Sequence, residues 1–121
     1  MTERELLMIP GPTNADPSVL RALSKSTVSH LSAEFVSVFK ESLSDLKKVF
    51  MTSGDTFIMT GSGTLAMEAA VANIVEPGDK VLNLVSGLFG QRFTEISCYH
   101  KAIPTIVEVP WGKAVEANLV K

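Results

Sequence analysis

The residues best suited to chemistry are Thr60-Gly61-Ser62-Gly63-Thr64. Two glycines let a backbone come close to a ligand, and Ser62 and Thr64 add hydroxyl donors on either side of Gly63. The run Thr56-Phe57-Ile58-Met59 before it is β-branched and aromatic and predicts the end of a buried strand; the following Leu65–Ile74 stretch is rich in helix formers. A helix begins with backbone N–H groups that have no internal partner and sit at the positive end of its dipole. A strand, glycine turn and helix in this order can therefore receive an anion such as a phosphate. A plain strand-to-helix connection would look the same. No Gly-Lys-Ser/Thr follows, so this is no Walker loop, and the third glycine of the dinucleotide fingerprint is missing.

A second glycine-bearing segment, Ser86-Gly87-Leu88-Phe89-Gly90-Gln91-Arg92, puts an aromatic between two glycines in what reads as an exposed loop. Ligands of open α/β sheets sit outside the carboxyl ends of the strands, where both glycine segments fall. An anion cradle beside an aromatic plate suits a ligand with a phosphate and a flat ring; the alternative is that Phe89 merely covers the start of the next helix.

The elements that must position these residues can be read along the chain. Ile9-Pro10-Gly11-Pro12-Thr13-Asn14 is a shaped loop, since two prolines and a glycine exclude regular structure. Asp16 reads as an N-cap with Pro17 in the first helical position, and Ser32 as the cap of a longer helix, Ala33 to Phe50. Phe35, Phe39, Leu43, Leu46 and Phe50 recur every three or four positions there, predicting a helix that covers a core. Glu76-Pro77-Gly78-Asp79 is a tight turn, Val81–Val85 a second strand, Gln91 to about His100 a helix, and Thr105–Val109 a third strand. The βαβαβ order predicts an α/β unit with parallel strands.

At 121 residues and 45% hydrophobic content, the chain has the size and material of one globular domain. A net charge of −2 with scattered basic residues argues against nucleic acid or an anionic membrane as partner. The lone Cys98 cannot form an internal disulfide, and Leu6-Leu7-Met8-Ile9 is too short for a membrane span or signal segment, so a soluble cytoplasmic protein is expected.

Five segments in order resemble the class V pyridoxal-5'-phosphate-dependent aminotransferases of the alanine-glyoxylate and serine-pyruvate type. They are Ile9-Pro10-Gly11-Pro12-Thr13, Ser29-His30-Leu31-Ser32, Thr60–Thr64 with Met67-Glu68-Ala69-Ala70, Glu76-Pro77-Gly78-Asp79, and Gly87–Arg92. The resemblance implies the N-terminal part of the large domain of a fold-type I transferase, with residues 1–15 as a substrate and dimer loop and 16–121 as an incomplete cofactor-binding domain. It implies pyridoxal phosphate held by Ser62, Gly63 and Thr64 through its phosphate and stacked on Phe89, with Gly11 near the substrate carboxylate. A homodimer is implied, with His30 near its interface. On its own surroundings His30 reads as a packing residue rather than an acid or base.

The implied reaction moves an amino group from a small amino acid such as alanine or serine to a 2-oxo acid such as glyoxylate or pyruvate. None of the eight lysines, at 25, 40, 47, 48, 80, 101, 113 and 121, stands in the context of the family's Schiff-base lysine. The expectation is an N-terminal portion of a longer enzyme, inactive alone, with no catalytic residue of its own. In the family topology, Thr56–Met59 would pair with neither later strand. Two other readings remain: a non-catalytic phosphate-binding or oligomerisation module, and a class V lyase such as a cysteine desulfurase. The lyase needs a cysteine in a mobile loop, whereas Cys98 reads as a small packing residue within a helix.

Overall fold

The computed structural model describes residues 5–120; residues 1–4 of the predicted 1–15 segment and Lys121 lie outside them. The chain forms two compact units, which join between Ile58 and Met59.

The first unit contains helices α1 (Pro17–Leu23) and α2 (Ala33–Val49). Both begin where their caps predict. Asp16 accepts from the Ser18 N–H at 2.7 Å, with Pro17 opening the helix, and Ser32 accepts from the Phe35 N–H at 3.1 Å. Upstream, Asn14 closes the proline-glycine loop: its Oδ1 accepts from the Leu7 N–H at 2.7 Å and its Nδ2 donates to the Glu5 carbonyl at 3.1 Å. The stripe on α2 exists, with Phe35 and Phe39 stacked at 5.7 Å between ring centroids, but no residue of the helix is buried. The expectation that it covers a core is therefore not met within these residues.

The second unit is a single crossover: β1 (Lys80–Val85), α4 (Leu88–Tyr99) and β2 (Ile103–Glu108), preceded by α3 (Gly63–Ile74). β1 and β2 are parallel, with Asn83 opposite Ile106 and Val85 opposite Glu108. Pro104 falls inside β2, which a strand without a second neighbour tolerates because its missing N–H can face outward. The turn after α3 is closed by the Glu76 N–H donating to Asp79 Oδ2 at 2.8 Å, with Gly78 at φ 94°, a conformation glycine adopts without steric cost.

Two expectations are corrected here. Thr56–Met59 is not a strand: the only sheet among the described residues has two strands, and this segment belongs to neither. Apolar, β-branched composition supplies side chains for a sheet but cannot replace the neighbour that its N–H and C=O groups need. Phe57 is accordingly 81% exposed. The βαβαβ unit is thus one β1–α4–β2 crossover. Second, the segment 86–92 is not a loop, because α4 starts at Leu88 and takes in Phe89, Gly90 and Gln91.

Gly90 explains why glycine is tolerated inside that helix. A Cβ built there would lie 2.7 Å from the Leu84 carbonyl oxygen and 2.9 Å from Val85 Cα. α4 therefore rests directly on the β1 backbone. Further along, Ser97 donates to the Phe93 carbonyl at 2.7 Å and is buried against Asn83, whose amide lies 3.5 Å from its hydroxyl. Val85 and Ile96 are buried in the same unit. Cys98 is in α4 as expected, but it is exposed and packs no core.

Two outcomes follow from these contacts. Gly90→Ala adds a methyl group against fixed backbone, a strain of about 1–3 kcal/mol that outweighs the roughly 1 kcal/mol gained in helix propensity; urea unfolding should show a net loss of stability. Asp16 is held below the ordinary aspartate value of 3.8 first by the Ser18 hydroxyl and then by the Ser18 N–H. Its depressed pKa means the cap stabilises α1 fully above that ordinary value and loses this contribution as pH falls through the folded value. The loss should be seen as a helical circular-dichroism decrease below about pH 3.8 that Asp16→Asn lacks.

Candidate functional site

The second unit carries the candidate residues on two neighbouring helices. α3 leads through a short turn into β1, and α4 leaves the far end of β1. The Gly78 N–H, just past α3, donates to the carbonyl of Lys101, just past α4, at 2.8 Å. The C-terminal ends of both helices thus lie together at the start of β1. The N-terminal end of α4 lies at the opposite edge, where β1 and β2 finish. Ser62, Gly63 and Thr64 open α3, which packs on α4, and Phe89 occupies the first turn of α4.

The start of α3 is chemically open. Ser62 is the N-cap residue, yet its side chain makes no capping hydrogen bond, unlike Asp16 and Ser32 on α1 and α2. The Ser62 carbonyl accepts from the Leu65 N–H at 3.0 Å, which closes the first turn and leaves the Gly63 and Thr64 N–H groups without an acceptor among the described residues. Ser62, Gly63 and Thr64 are all exposed. A Cβ at Gly63 would meet nothing within 4 Å, whereas one at Gly61 would run into the Leu65 side chain. Gly61 is thus needed for packing and Gly63 faces free space. Two N–H groups and two hydroxyls at a helix N-terminus form a donor set that fits a phosphate dianion.

α4 repeats the pattern: Gly87 caps it with no side chain to offer. Phe89 is 49% exposed, so it keeps surface available to a ligand. An aromatic face on the first turn of one helix and a donor set on the first turn of its neighbour can hold a flat, phosphorylated molecule.

Gly11 lies in the first unit, exposed, in the loop that Asn14 closes, and a Cβ there would meet nothing within 4 Å. His30 is exposed in the turn before α2, with no charged partner among the described residues, so it neither packs a core nor is set up as an acid or base. None of the described lysines is buried. Lys48 is paired with Asp45 at 2.7 Å, whose carboxylate raises its pKa, and Lys47 lies 3.9 Å from Asp55.

Two contributors escaped sequence reasoning. Asn14 shapes the Gly11 loop, and the only available sign was an Asx residue directly after a proline-rich turn. Glu68 of α3 meets His100, the residue closing α4, at 2.6 Å. They are 32 positions apart, a pairing with no local signature.

No protein-family model matches the chain. It is 44% identical over 98% of its length to an uncharacterized aminotransferase of Methanocaldococcus jannaschii, and 35% identical over 98% to an L-aspartate–glyoxylate aminotransferase of Paracoccus denitrificans. Among solved structures, the alanine–glyoxylate aminotransferase of Nostoc sp. matches 98% of the chain with a TM-score of 0.80 at 37% identity. The chain spans 31%, 30% and 33% of these three proteins respectively, about a third of their length. No helix among the described residues is long and apolar enough to cross a membrane. Sequence and backbone align over nearly the whole chain, an α/β homologue of named aminotransferases that fits their N-terminal portion.

Proposed function

We propose that this chain is the cofactor-holding N-terminal portion of a pyridoxal-phosphate-dependent transaminase. The observation that carries the reading is the uncapped start of α3, on a helix that packs against the one whose first turn bears Phe89. In the proposed division, residues 1–15 serve the substrate and the dimer contact, and 16–121 belong to the cofactor-binding domain. The proposed reaction exchanges an amino group between a small amino acid, alanine or serine, and a 2-oxo acid, glyoxylate or pyruvate. The aspartate–glyoxylate and alanine–glyoxylate aminotransferases among its relatives support glyoxylate as the acceptor. The enzyme is proposed to be a cytoplasmic homodimer.

Pyridoxal phosphate, when bound, supplies an electron-withdrawing ring and a carbonyl through which an amino group can be carried. The residues of this chain bind and orient. The Gly63 and Thr64 N–H groups, with the Ser62 and Thr64 hydroxyls, hold the phosphate; the α3 dipole favours its negative charge. Phe89 offers an apolar face to the ring and excludes water from that side. Gly11 is proposed to offer its backbone N–H to the substrate carboxylate. None of the described residues is assigned a role as acid, base or nucleophile, and the catalytic lysine is proposed to come from sequence beyond them.

Two substitutions test the site. Gly63→Asp adds a carboxylate where the fold has free space, and an acidic residue in the first turn suits the helix dipole. The protein should fold with unchanged or slightly raised thermal stability while pyridoxal phosphate affinity, followed by fluorescence titration, falls more than about tenfold. Retained affinity would remove this turn from the site. Phe89→Ala should weaken cofactor retention by about 1–3 kcal/mol through lost stacking and apolar contact, measured as the dissociation constant; an unchanged constant means the ring lies elsewhere.

A further inference from the structure

The donor set rides on α3 and the aromatic on α4, so their separation depends on how one helix lies along the other. Most of that contact is unspecific. α3 fully buries only Val71 among the described residues, with Met67 and Ala69 partly covered. Apolar contact of this kind is non-directional and permits sliding.

One directional link crosses it. Glu68 Oε1 lies 2.6 Å from His100 Nε2, the only side-chain hydrogen bond among the described residues that joins α3 to α4 or its cap. The two side chains are 39% and 23% exposed, so the bond is partly withdrawn from water. A carboxylate has no proton to give; Nε2 therefore carries one and donates it, in a hydrogen bond strengthened by the carboxylate charge. The His100 ring is also braced by Tyr99, edge to face at 5.5 Å between centroids. One residue further, the Lys101 carbonyl accepts the Gly78 N–H at 2.8 Å. Two ties thus fasten α3 and its exit turn to the end of α4, one through side chains and one through backbone.

We infer that the Glu68–His100 pair is a positioning device that fixes the axial register of α3 against α4, and so the spacing between the Ser62–Thr64 donors and Phe89. It touches neither phosphate nor ring. A helix of twelve residues behaves as a short rod, so an anchor at its middle limits where its first turn can stand. This inference rests on the proposed assignment of those residues to the cofactor.

The test uses the full-length gene product with Glu68→Gln, Glu68→Leu, His100→Phe and the Glu68→Leu/His100→Phe double variant. Three quantities are measured: the dissociation constant for pyridoxal phosphate, the visible circular-dichroism band of the bound cofactor, and the melting temperature without cofactor. Glu68→Leu and His100→Phe should each weaken binding about three- to tenfold and diminish the visible band. Glu68→Gln should stay within about twofold of the parent, because its amide oxygen accepts the same bond. The double variant should be no worse than either single one, as for two ends of one interaction.

A lowered melting temperature with unchanged affinity and visible band would overturn the inference, as would additive losses in the double variant. If Glu68→Leu does not fold, His100→Phe against Glu68→Gln makes the same comparison. Gly63→Asp separates the two levels of the argument. Loss of binding in Gly63→Asp with none in the Glu68 and His100 variants overturns the positioning role alone, whereas retained binding in Gly63→Asp overturns the site and this inference with it.

Discussion

With no Cβ at Gly90, the first turn of α4 comes down to the backbone of Leu84 and Val85, closer than any side-chain-bearing residue would allow. Much of the second unit depends on that approach. It sets the start of α4 over the last residues of β1, which lets the helix return along the strand and deliver the chain to β2 in parallel with β1. The same contact seats Phe89 at the edge where both strands end. Asn83 and Ser97 continue the seam on the same side of β1, so the helix is held by backbone approach at one end and by buried polar contact further along.

The four α-helices among the described residues divide by how their first turns are satisfied. α1 and α2 close theirs with Asp16 and Ser32, while α3 and α4 leave theirs without a side-chain cap. An uncapped start forgoes about 1 kcal/mol of stability, and Ser62 is a residue type able to recover it. Its hydroxyl is not turned back onto the helix. The open helix starts are both in the unit that carries the donor set and Phe89, which ties an unfavourable local choice to the place where a ligand would repay it.

Local chemistry was legible in the sequence; what depends on a neighbour was not. Asp16-Pro17 and Ser32 mark their helix starts because capping is settled within three residues. The turn at Pro77-Gly78 is equally self-contained. Thr56–Met59 reads as a strand on composition, yet pairing is a property of two segments, and the second is not among the described residues. Gly87 and Gly90 suggested a loop around Phe89 because glycine is a poor helix former. Here the missing Cβ serves packing, a demand visible only once β1 lies beneath it. The donor set at Ser62–Thr64 could be located because glycine and hydroxyl residues between an extended run and a helix are a local pattern. Glu68 and His100 meet through the α3–α4 contact, so no window of sequence contained the pair.

The apolar pattern of the chain exceeds what its own described elements cover. Asn83 and Val85 are buried beneath α4, while the alternate residues Leu82 and Leu84 are 46% and 44% exposed on the other face of β1. Continuous apolar runs such as Val81-Leu82 and Leu84-Val85 are the mark of strands buried on both faces, which parallel sheets achieve with helices on each side. Here α4 covers one face only. The uncovered stripe of α2 and the unpaired Phe57–Met59 show the same excess of apolar patterning over burial. A fold of more layers and more strands would use all three, and relatives about three times as long have the chain length for one. The donor turn differs from these features, for its open N–H groups are polar and additional apolar layers would leave them unsatisfied. Burial by further elements would cover the exposed leucines and phenylalanines, whereas the proposed anion would satisfy the donors of Ser62, Gly63 and Thr64.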